Sequence, residues 1–122
     1  MKFKFAHSNI TVRDIEKSKA FYEKAYGLRE TDRIDPGDDS CKFIMMAAEN
    51  EDVVLELYWE KGVEPKPLPD NIVHFAYSTY DFDEAHALHE KMGVICKELP
   101  GAGVYFIKDP DGYWSEVMRM PR

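Results

Sequence analysis

The sequence predicts an α+β protein made of two tandem β-α-β-β-β modules. The first supporting observation is a local pattern that occurs twice: a strand-like run opened by His, an Asp that begins a helical stretch, and a Gly that ends it. Acidic N-caps and C-terminal glycines mark helix ends, because free backbone donors and left-handed geometry require them there. The second observation is that three further strand-like runs follow each helix, which indicates an internal duplication. The repeated residues are His7, Asp14 and Gly27, then His74, Asp81 and Gly93.

The first module begins with an alternating strand over residues 5–12 and continues into a helix over residues 14–26. Alternation places His7, Asn9 and Thr11 on one face of the strand, opposite the apolar Ile10 and Val12, so the second face is predicted to be buried. The apolar residues expected near one side of the helix are Ile15, Ala20, Phe21, Tyr22 and Ala25.

The remaining strands follow in the same order in both halves. A weak strand over 28–34 precedes a turn at 35–39, and the runs 41–47 and 53–59 are predicted to form a hairpin. A proline-rich stretch, 62–69, is predicted to be an extended linker between repeats of about 1–61 and 70–122, which together form one domain, 1–122. The second repeat is predicted to have strands at 72–78, 94–97, 104–108 and 113–120, with a helix at 82–91.

Composition excludes several classes of function. The formal net charge is −7 without a run of basic residues, which disfavours binding to nucleic acid. No apolar stretch approaches the roughly 18 residues of a spanning helix, and the N-terminus lacks signal-peptide features, so a cytoplasmic protein without membrane association is predicted. Cys41 and Cys96 are expected to be reduced structural thiols.

Four residues form the candidate functional site, and all are predicted to lie on strands: His7, Glu56, His74 and Glu116. Their order is the same His-then-Glu pair once in each repeat. Both glutamates stand among large apolar residues, where a carboxylate is normally paired or bound to metal. The simpler interpretation is that each Glu faces solvent and each His is structural. Two imidazoles and two carboxylates suit nickel, cobalt, zinc or iron, with water completing the coordination.

Two other features are assigned no chemical role. His86 and His89 are three residues apart on the second predicted helix and are interpreted as surface histidines. The stretch Gly101-Ala102-Gly103 lacks the spacing of a phosphate-binding loop and is predicted to be a flexible loop.

The chain resembles glyoxalase I (lactoylglutathione lyase) of the vicinal oxygen chelate superfamily over nearly its whole length. The residues that carry the resemblance are His7, the strand Leu55-Glu56-Leu57, His74 within Asn71-Ile72-Val73-His74-Phe75-Ala76, and the turn Asp109-Pro110-Asp111-Gly112-Tyr113 leading to Glu116. The turn is common to many members, whereas the four-residue set is more specific.

The resemblance implies a metal-dependent homodimer. His7 and Glu56 of one chain would face His74 and Glu116 of the other, and nickel would be favoured over cobalt or zinc in so short a chain. The substrate would be the hemithioacetal of methylglyoxal and glutathione, which is isomerised to the S-lactoyl thioester through an enediolate. Glu116 would be the catalytic base that moves the proton between neighbouring carbons.

The departures from the family concern the thiol carrier. Glutathione-binding members carry an Arg where this chain has Thr11 and an Asn where it has Glu60. The basic loop is also shorter, which leaves Lys97 and Lys108 nearby, with Arg13 as a substitute cation. Lost cations and an added carboxylate weaken recognition of a substrate with two carboxylates, so another thiol is an open alternative.

Two alternative functions are also open. One is another metal-dependent member of the superfamily, such as an epimerase or isomerase. The other is a metal-free module that sequesters a cationic or aromatic drug in a cleft lined by Tyr58, Trp59, Tyr113 and Trp114.

Overall fold

The computed structural model describes residues 1–50, 52–68 and 72–121, and the chain divides into two compact units, Met1–Lys66 and Pro67–Arg122. In each unit the described elements follow the order β-α-β-β-β, so the predicted α+β fold class is confirmed. The predicted boundary at residues 69 and 70 lies outside the described residues. The grouping of both repeats into one domain stays a prediction.

The first unit is a mixed four-stranded sheet with one described helix. The strands are arranged in the order β1-β4-β3-β2, with β1 parallel to β4 and the other neighbours antiparallel. The pairing of the first strand with the last is therefore non-local. The elements are β1 (Ser8–Thr11), α1 (Ile15–Tyr26), β2 (Arg29–Ile34), β3 (Cys41–Ala47) and β4 (Val53–Glu60).

The helix α1 begins and ends at the residues that were predicted from the sequence. Asp14 is the N-cap, and its carboxylate accepts a hydrogen bond of 3.1 Å from the Lys17 backbone N–H. Gly27 ends the helix in the left-handed region with a φ of 66°, where a residue without Cβ is favoured.

The buried side of α1 differs from the prediction, because Ser18 is buried without having been predicted so and Phe21 is only half-buried. Ala20 is exposed, and the prediction that it belongs to the buried side is wrong. The reason is the helical period, because the buried stripe has steps of three and four residues that pass over Ala20. The stripe consists of Ile15, Ser18, Tyr22 and Ala25.

The core of this unit lies on one face of the sheet. Alternation buries Ile10 of β1, as predicted, together with Leu55 and Leu57 of β4, while Asn9 and Glu56 face the other side. Burying one face and leaving the other polar is what period-two alternation produces. The side chains of Asn9 and Glu56 therefore lie on the face away from the apolar core, where Met45 is the β3 partner of Glu56.

The second unit repeats this topology. Its strand order is β5-β8-β7-β6, with β5 parallel to β8. A short 3-10 turn at Pro100–Ala102 follows β6, within the stretch for which a flexible loop was predicted. The elements are β5 (Phe75–Thr79), α2 (Phe82–Met92), β6 (Ile95–Leu99), β7 (Val104–Lys108) and β8 (Trp114–Arg119).

His89 on α2 is buried, and its prediction as a surface histidine is wrong. Its Nδ1 atom lies 2.8 Å from the hydroxyl oxygen of Tyr105, which is itself buried. This hydrogen bond offsets the cost of removing both polar groups from water. His86 is partly exposed and contacts Glu98.

Both candidate histidines stand immediately before a strand rather than on one. β1 begins at Ser8 and β5 begins at Phe75, so the predicted strands over 5–12 and 72–78 are too long at their N-terminal ends. Regular ladder pairing begins after each His, because β4 and β8 offer partners from Leu55 and Ser115 onward.

The turn before β8 is closed by a buried carboxylate. Asp109 Oδ1 accepts hydrogen bonds of 2.9 Å from the backbone N–H of Asp111 and 3.0 Å from that of Tyr113. Gly112 has a φ of 95°, which a residue with a Cβ rarely adopts. This turn directs the chain into the strand that carries Glu116.

Candidate metal centre

The first unit brings His7 and Glu56 together on the polar face of its sheet. The His7 Nε2 atom lies 3.5 Å from Glu56 Oε2. The other carboxylate oxygen, Oε1, accepts a hydrogen bond of 2.7 Å from the Asn9 side-chain amide. Asn9 and Glu56 are direct partners in the parallel β1–β4 ladder, so the carboxylate is held between an amide and an imidazole.

The second unit brings His74 and Glu116 together in the same way. The His74 Nε2 atom lies 3.1 Å from Glu116 Oε1. The imidazole packs edge-on against Phe106, with 5.1 Å between the ring centroids. Glu116 is paired across the parallel β5–β8 ladder with Ala76.

The two pairs share one strand register. In each unit the residue two positions after the His is the ladder partner of the Glu, namely Asn9 for Glu56 and Ala76 for Glu116. The duplication predicted from the sequence therefore extends to the placement of the candidate ligands. Asn9 had no assigned role, although its two-residue offset from His7 placed it on the same face.

Both carboxylates are largely covered. The exposed side-chain fractions are 12% for Glu56 and 20% for Glu116, against 36% for His7 and 32% for His74. Carboxylates held in this way beside imidazoles do not fit the simpler interpretation of freely solvated surface charges.

The separation within each pair fits two ligands of one ion. Donors about 2.1 Å from a metal at octahedral or tetrahedral angles lie about 3.0 to 3.4 Å apart. The separations of 3.1 and 3.5 Å are close to that range. Across the described ranges of the chain, no group of three or more His, Cys, Asp or Glu side chains converges on one point. Each unit, taken by itself, thus supplies one imidazole and one carboxylate.

Beyond Glu56, the same face of β4 carries Tyr58 and Glu60. The Tyr58 hydroxyl donates a hydrogen bond to Glu60 Oε1, which raises the pKa of Tyr58 to about 12. Thr11 is the ladder partner of Tyr58 on β1. The polar face therefore continues from the His7–Glu56 pair toward a second carboxylate.

Arg13, the proposed substitute cation, is paired with a different carboxylate. Its Nε and Nη2 atoms lie 3.0 and 2.8 Å from Glu64 Oε2. In the second unit, the Lys108 ammonium lies 6.0 Å from the centroid of the Trp114 ring.

Two aromatic residues of the metal-free alternative, Tyr58 and Trp59, do not share one surface. Tyr58 and Trp59 are consecutive in β4, where neighbouring side chains point to opposite faces. Tyr58 packs against Phe43, with ring centroids 4.6 Å apart, whereas the Trp59 ring lies under the Lys42 ammonium. A drug-binding cleft lined jointly by these two rings is therefore not formed by β4.

The two cysteines have no bond to one another. Both are free and partly exposed, and burial raises the pKa of the Cys96 thiol, which makes it a poor nucleophile. Among the described helices, none is both long and apolar enough to cross a membrane.

The chain consists of two β-α-β-β-β units, and each unit has a His–Glu pair at its sheet. These features define a class of duplicated α+β proteins in which each repeat supplies part of a candidate metal site. Residues 4–117 match the family model of the Glyoxalase/Bleomycin resistance protein/Dioxygenase superfamily, and the chain belongs to this superfamily. The predicted resemblance to the glyoxalase family is confirmed.

Several relatives are named for one activity. The lactoylglutathione lyase of Salmonella typhimurium is 29% identical, over 92% of this chain and 89% of its own length. The lactoylglutathione lyase GLX1 of Arabidopsis thaliana is 28% identical over 95% of this chain, which spans only 44% of that protein. The chain thus spans less than half the length of the plant relatives it matches.

Solved structures share the fold. A trypanothione-dependent glyoxalase I of Leishmania major has a TM-score of 0.82 at 27% identity, covering 97% of this chain and 87% of its own. The fosfomycin resistance protein FosX of Listeria monocytogenes, in a complex with Mn(II), has a TM-score of 0.73 at 20% identity, covering 97% and 93%. The second similarity concerns the fold alone.

Proposed function

We propose that this protein is a metal-dependent lyase of the glyoxalase I type. It would isomerise the hemithioacetal of methylglyoxal and a thiol to the S-lactoyl thioester. The observation that carries the proposal is the His–Glu pair that recurs at the same ladder register in both units. The names of the bacterial and plant relatives support the same activity.

The ligands proposed for a divalent ion are His7, Glu56, His74 and Glu116. Borderline nitrogen donors with carboxylate oxygens suit nickel, cobalt or zinc, and we favour nickel. Because each unit supplies one pair, we propose that the complete site forms in a homodimer, with the pair of one chain facing the other pair of its partner. The separation within each pair supports the two residues of that pair as ligands of one ion.

The chemistry requires one proton to move between adjacent carbons. Glu116 would remove the proton from the carbon that bears sulfur and hydroxyl, and would deliver it to the neighbouring carbonyl carbon. The electron pair of the broken C–H bond forms the carbon–carbon double bond of the enediolate, while the carbonyl pair moves onto the second oxygen. When the proton is returned to the second carbon, the oxygen of the first carbon becomes the thioester carbonyl and its hydroxyl proton passes to the second oxygen, so no oxidant or reductant is consumed. A bound divalent ion would supply Lewis-acid stabilisation of the negative charge on the two substrate oxygens. His74, at 3.1 Å, would hold Glu116 near the reacting carbons.

The thiol carrier is proposed to be glutathione or a less anionic thiol. Glu60 adds a carboxylate to the face that carries Glu56, and the proposed substitute cation, Arg13, is paired with Glu64. The dependence of the Leishmania relative on trypanothione is a precedent for a different carrier. Free Cys41 and Cys96 support a cytoplasmic location, where thiols stay reduced.

The test is turnover of methylglyoxal pre-equilibrated with glutathione or with trypanothione. Protein stripped of metal is reloaded separately with nickel, cobalt or zinc, and metal content is measured by mass spectrometry. We expect activity that returns with metal and is lost in Glu116→Gln. Glu84→Gln, an exposed carboxylate on α2, is the matched control and should remain active.

Two results would count against the proposal. If the protein does not bind metal stoichiometrically, the proposed metal site is wrong. If the protein binds metal but turns over neither hemithioacetal, the proposed lyase activity is wrong and an epimerase substrate should be tested instead.

A further inference from the structure

We infer that Asn9 is a positioning residue that fixes Glu56 as the stationary carboxylate of the site, whereas Ala76 adds no such restraint to Glu116, which His74 contacts. This inference rests on the proposed function and assigns different roles to two glutamates that the duplication makes equivalent. The difference is between Asn and Ala at one matched position of the two repeats.

The first carboxylate accepts a hydrogen bond at one oxygen and lies near an imidazole at the other. The Asn9 amide donates to Oε1 at 2.7 Å, while Oε2 lies toward His7 at 3.5 Å. A hydrogen bond to one oxygen limits rotation of the carboxylate, so the other oxygen keeps one direction. Groups that hold a ligand in this way raise metal affinity because they order it before the metal arrives.

The second carboxylate lacks that restraint from its ladder partner. Ala76 occupies the place of Asn9 in the register, and its methyl group has no donor. Glu116 contacts His74 through Oε1 at 3.1 Å. Rotation of Glu116 away from a ligand position therefore breaks no amide hydrogen bond to its neighbouring strand, whereas the same rotation of Glu56 would break one.

A base that takes and returns a proton must change its position relative to the substrate carbons. The less restrained carboxylate is better suited to that motion, and the anchored one to permanent ligation. The structure thus gives a physical reason for Glu116, rather than Glu56, as the base.

A purely structural role for Asn9 is the competing explanation. The β1–β4 pairing is already supplied by the backbone ladder, and the Ser8 hydroxyl adds a hydrogen bond of 2.7 Å to the Val54 carbonyl oxygen. Asn9 is also exposed, so its removal opens no cavity. These contacts predict that β1 stays docked without the Asn9 side chain.

The experiment removes the anchor from one unit and adds it to the other. Asn9→Ala and Ala76→Asn are compared with wild type and with Asn50→Ala, a matched change of an exposed Asn in a turn of the first unit. The readouts are the Kd for Co(II) by chelator competition, the Co(II) absorption spectrum, the thermal midpoint of metal-free protein, and kcat and KM.

We expect Asn9→Ala to raise the Kd for Co(II) by about 10-fold or more and to alter the Co(II) spectrum, as removal of a ligand-supporting hydrogen bond does. The metal-free thermal midpoint should match that of Asn50→Ala. Ala76→Asn should retain Co(II) affinity but lower kcat by about 10-fold with little change in KM, because its amide would restrain Glu116.

The outcomes separate the inference from the function on which it rests. Wild-type protein that neither binds Co(II) nor turns over a hemithioacetal contradicts the proposed function. If the wild type is active, two results overturn the inference and leave the function standing. One is an Asn9→Ala variant with the same Co(II) affinity as wild type, and the other is an Ala76→Asn variant with the same kcat as wild type. A lower metal-free thermal midpoint in Asn9→Ala with unchanged Co(II) affinity assigns Asn9 a structural role and also overturns it.

Discussion

Asp109 offers the sharpest test of how the turn before β8 is held. Its carboxylate is buried, with 5% of the residue exposed, and it accepts the backbone N–H groups of Asp111 and Tyr113. Asp109→Ala leaves both donors without this acceptor in a covered turn. Each lost bond to a charged acceptor costs about 1 to 2 kcal/mol, so the free energy of unfolding should fall by about 2 to 4 kcal/mol.

The assay is urea denaturation followed by tryptophan fluorescence and circular dichroism. With a denaturant slope of about 2 kcal/mol per molar, the midpoint should fall by about 1 to 2 M. Asp109→Asn is the matched control because its amide oxygen can still accept both hydrogen bonds. It should lose less than half as much stability. If Asp109→Ala and Asp109→Asn unfold at the same midpoint, the two hydrogen bonds do not hold the turn.

Two further predictions concern charge in the first unit. Glu60→Gln should raise kcat/KM for the glutathione hemithioacetal by about fivefold, because removing one like charge near the substrate is worth about 1 kcal/mol. If steady-state kinetics show no gain, Glu60 does not contribute to recognition of the thiol carrier. Arg33 hydrogen-bonds Glu30 and lowers its pKa. A lowered carboxylate pKa stabilises the fold above the ordinary Glu pKa of about 4.3 and loses that contribution as pH falls through the lower folded-state value. Arg33→Gln should therefore cost about 1 kcal/mol at neutral pH, and its stability difference from wild type should shrink in acid denaturation curves; a pH-independent difference would contradict the ion pair.

Local sequence patterns predicted most elements because their causes are local. Asp14 and Gly27 bound α1 through contacts within one or two helical turns. Alternation over residues 5–12 correctly placed Ile10 and Val12 in the core. Such signals depend on backbone geometry and on the period of the element, which nearby residues specify.

The errors arose where a distant residue decided the outcome. Histidine is a polar residue that is predicted to lie at the surface of a helix. The Tyr105 hydroxyl from another element makes the burial of His89 favourable. The starts of β1 and β5 depend on where β4 and β8 provide ladder partners. Neither contact is encoded in the neighbouring sequence.

The sequence by itself determined the duplicated α+β architecture and the side of β4 and β8 on which Glu56 and Glu116 lie. Only the tertiary structure decided the register, which pairs Asn9 with Glu56 and Ala76 with Glu116. The physical reason is that alternation fixes which face a side chain takes, whereas the partner across a parallel ladder is set by the packing of strands far apart in the chain.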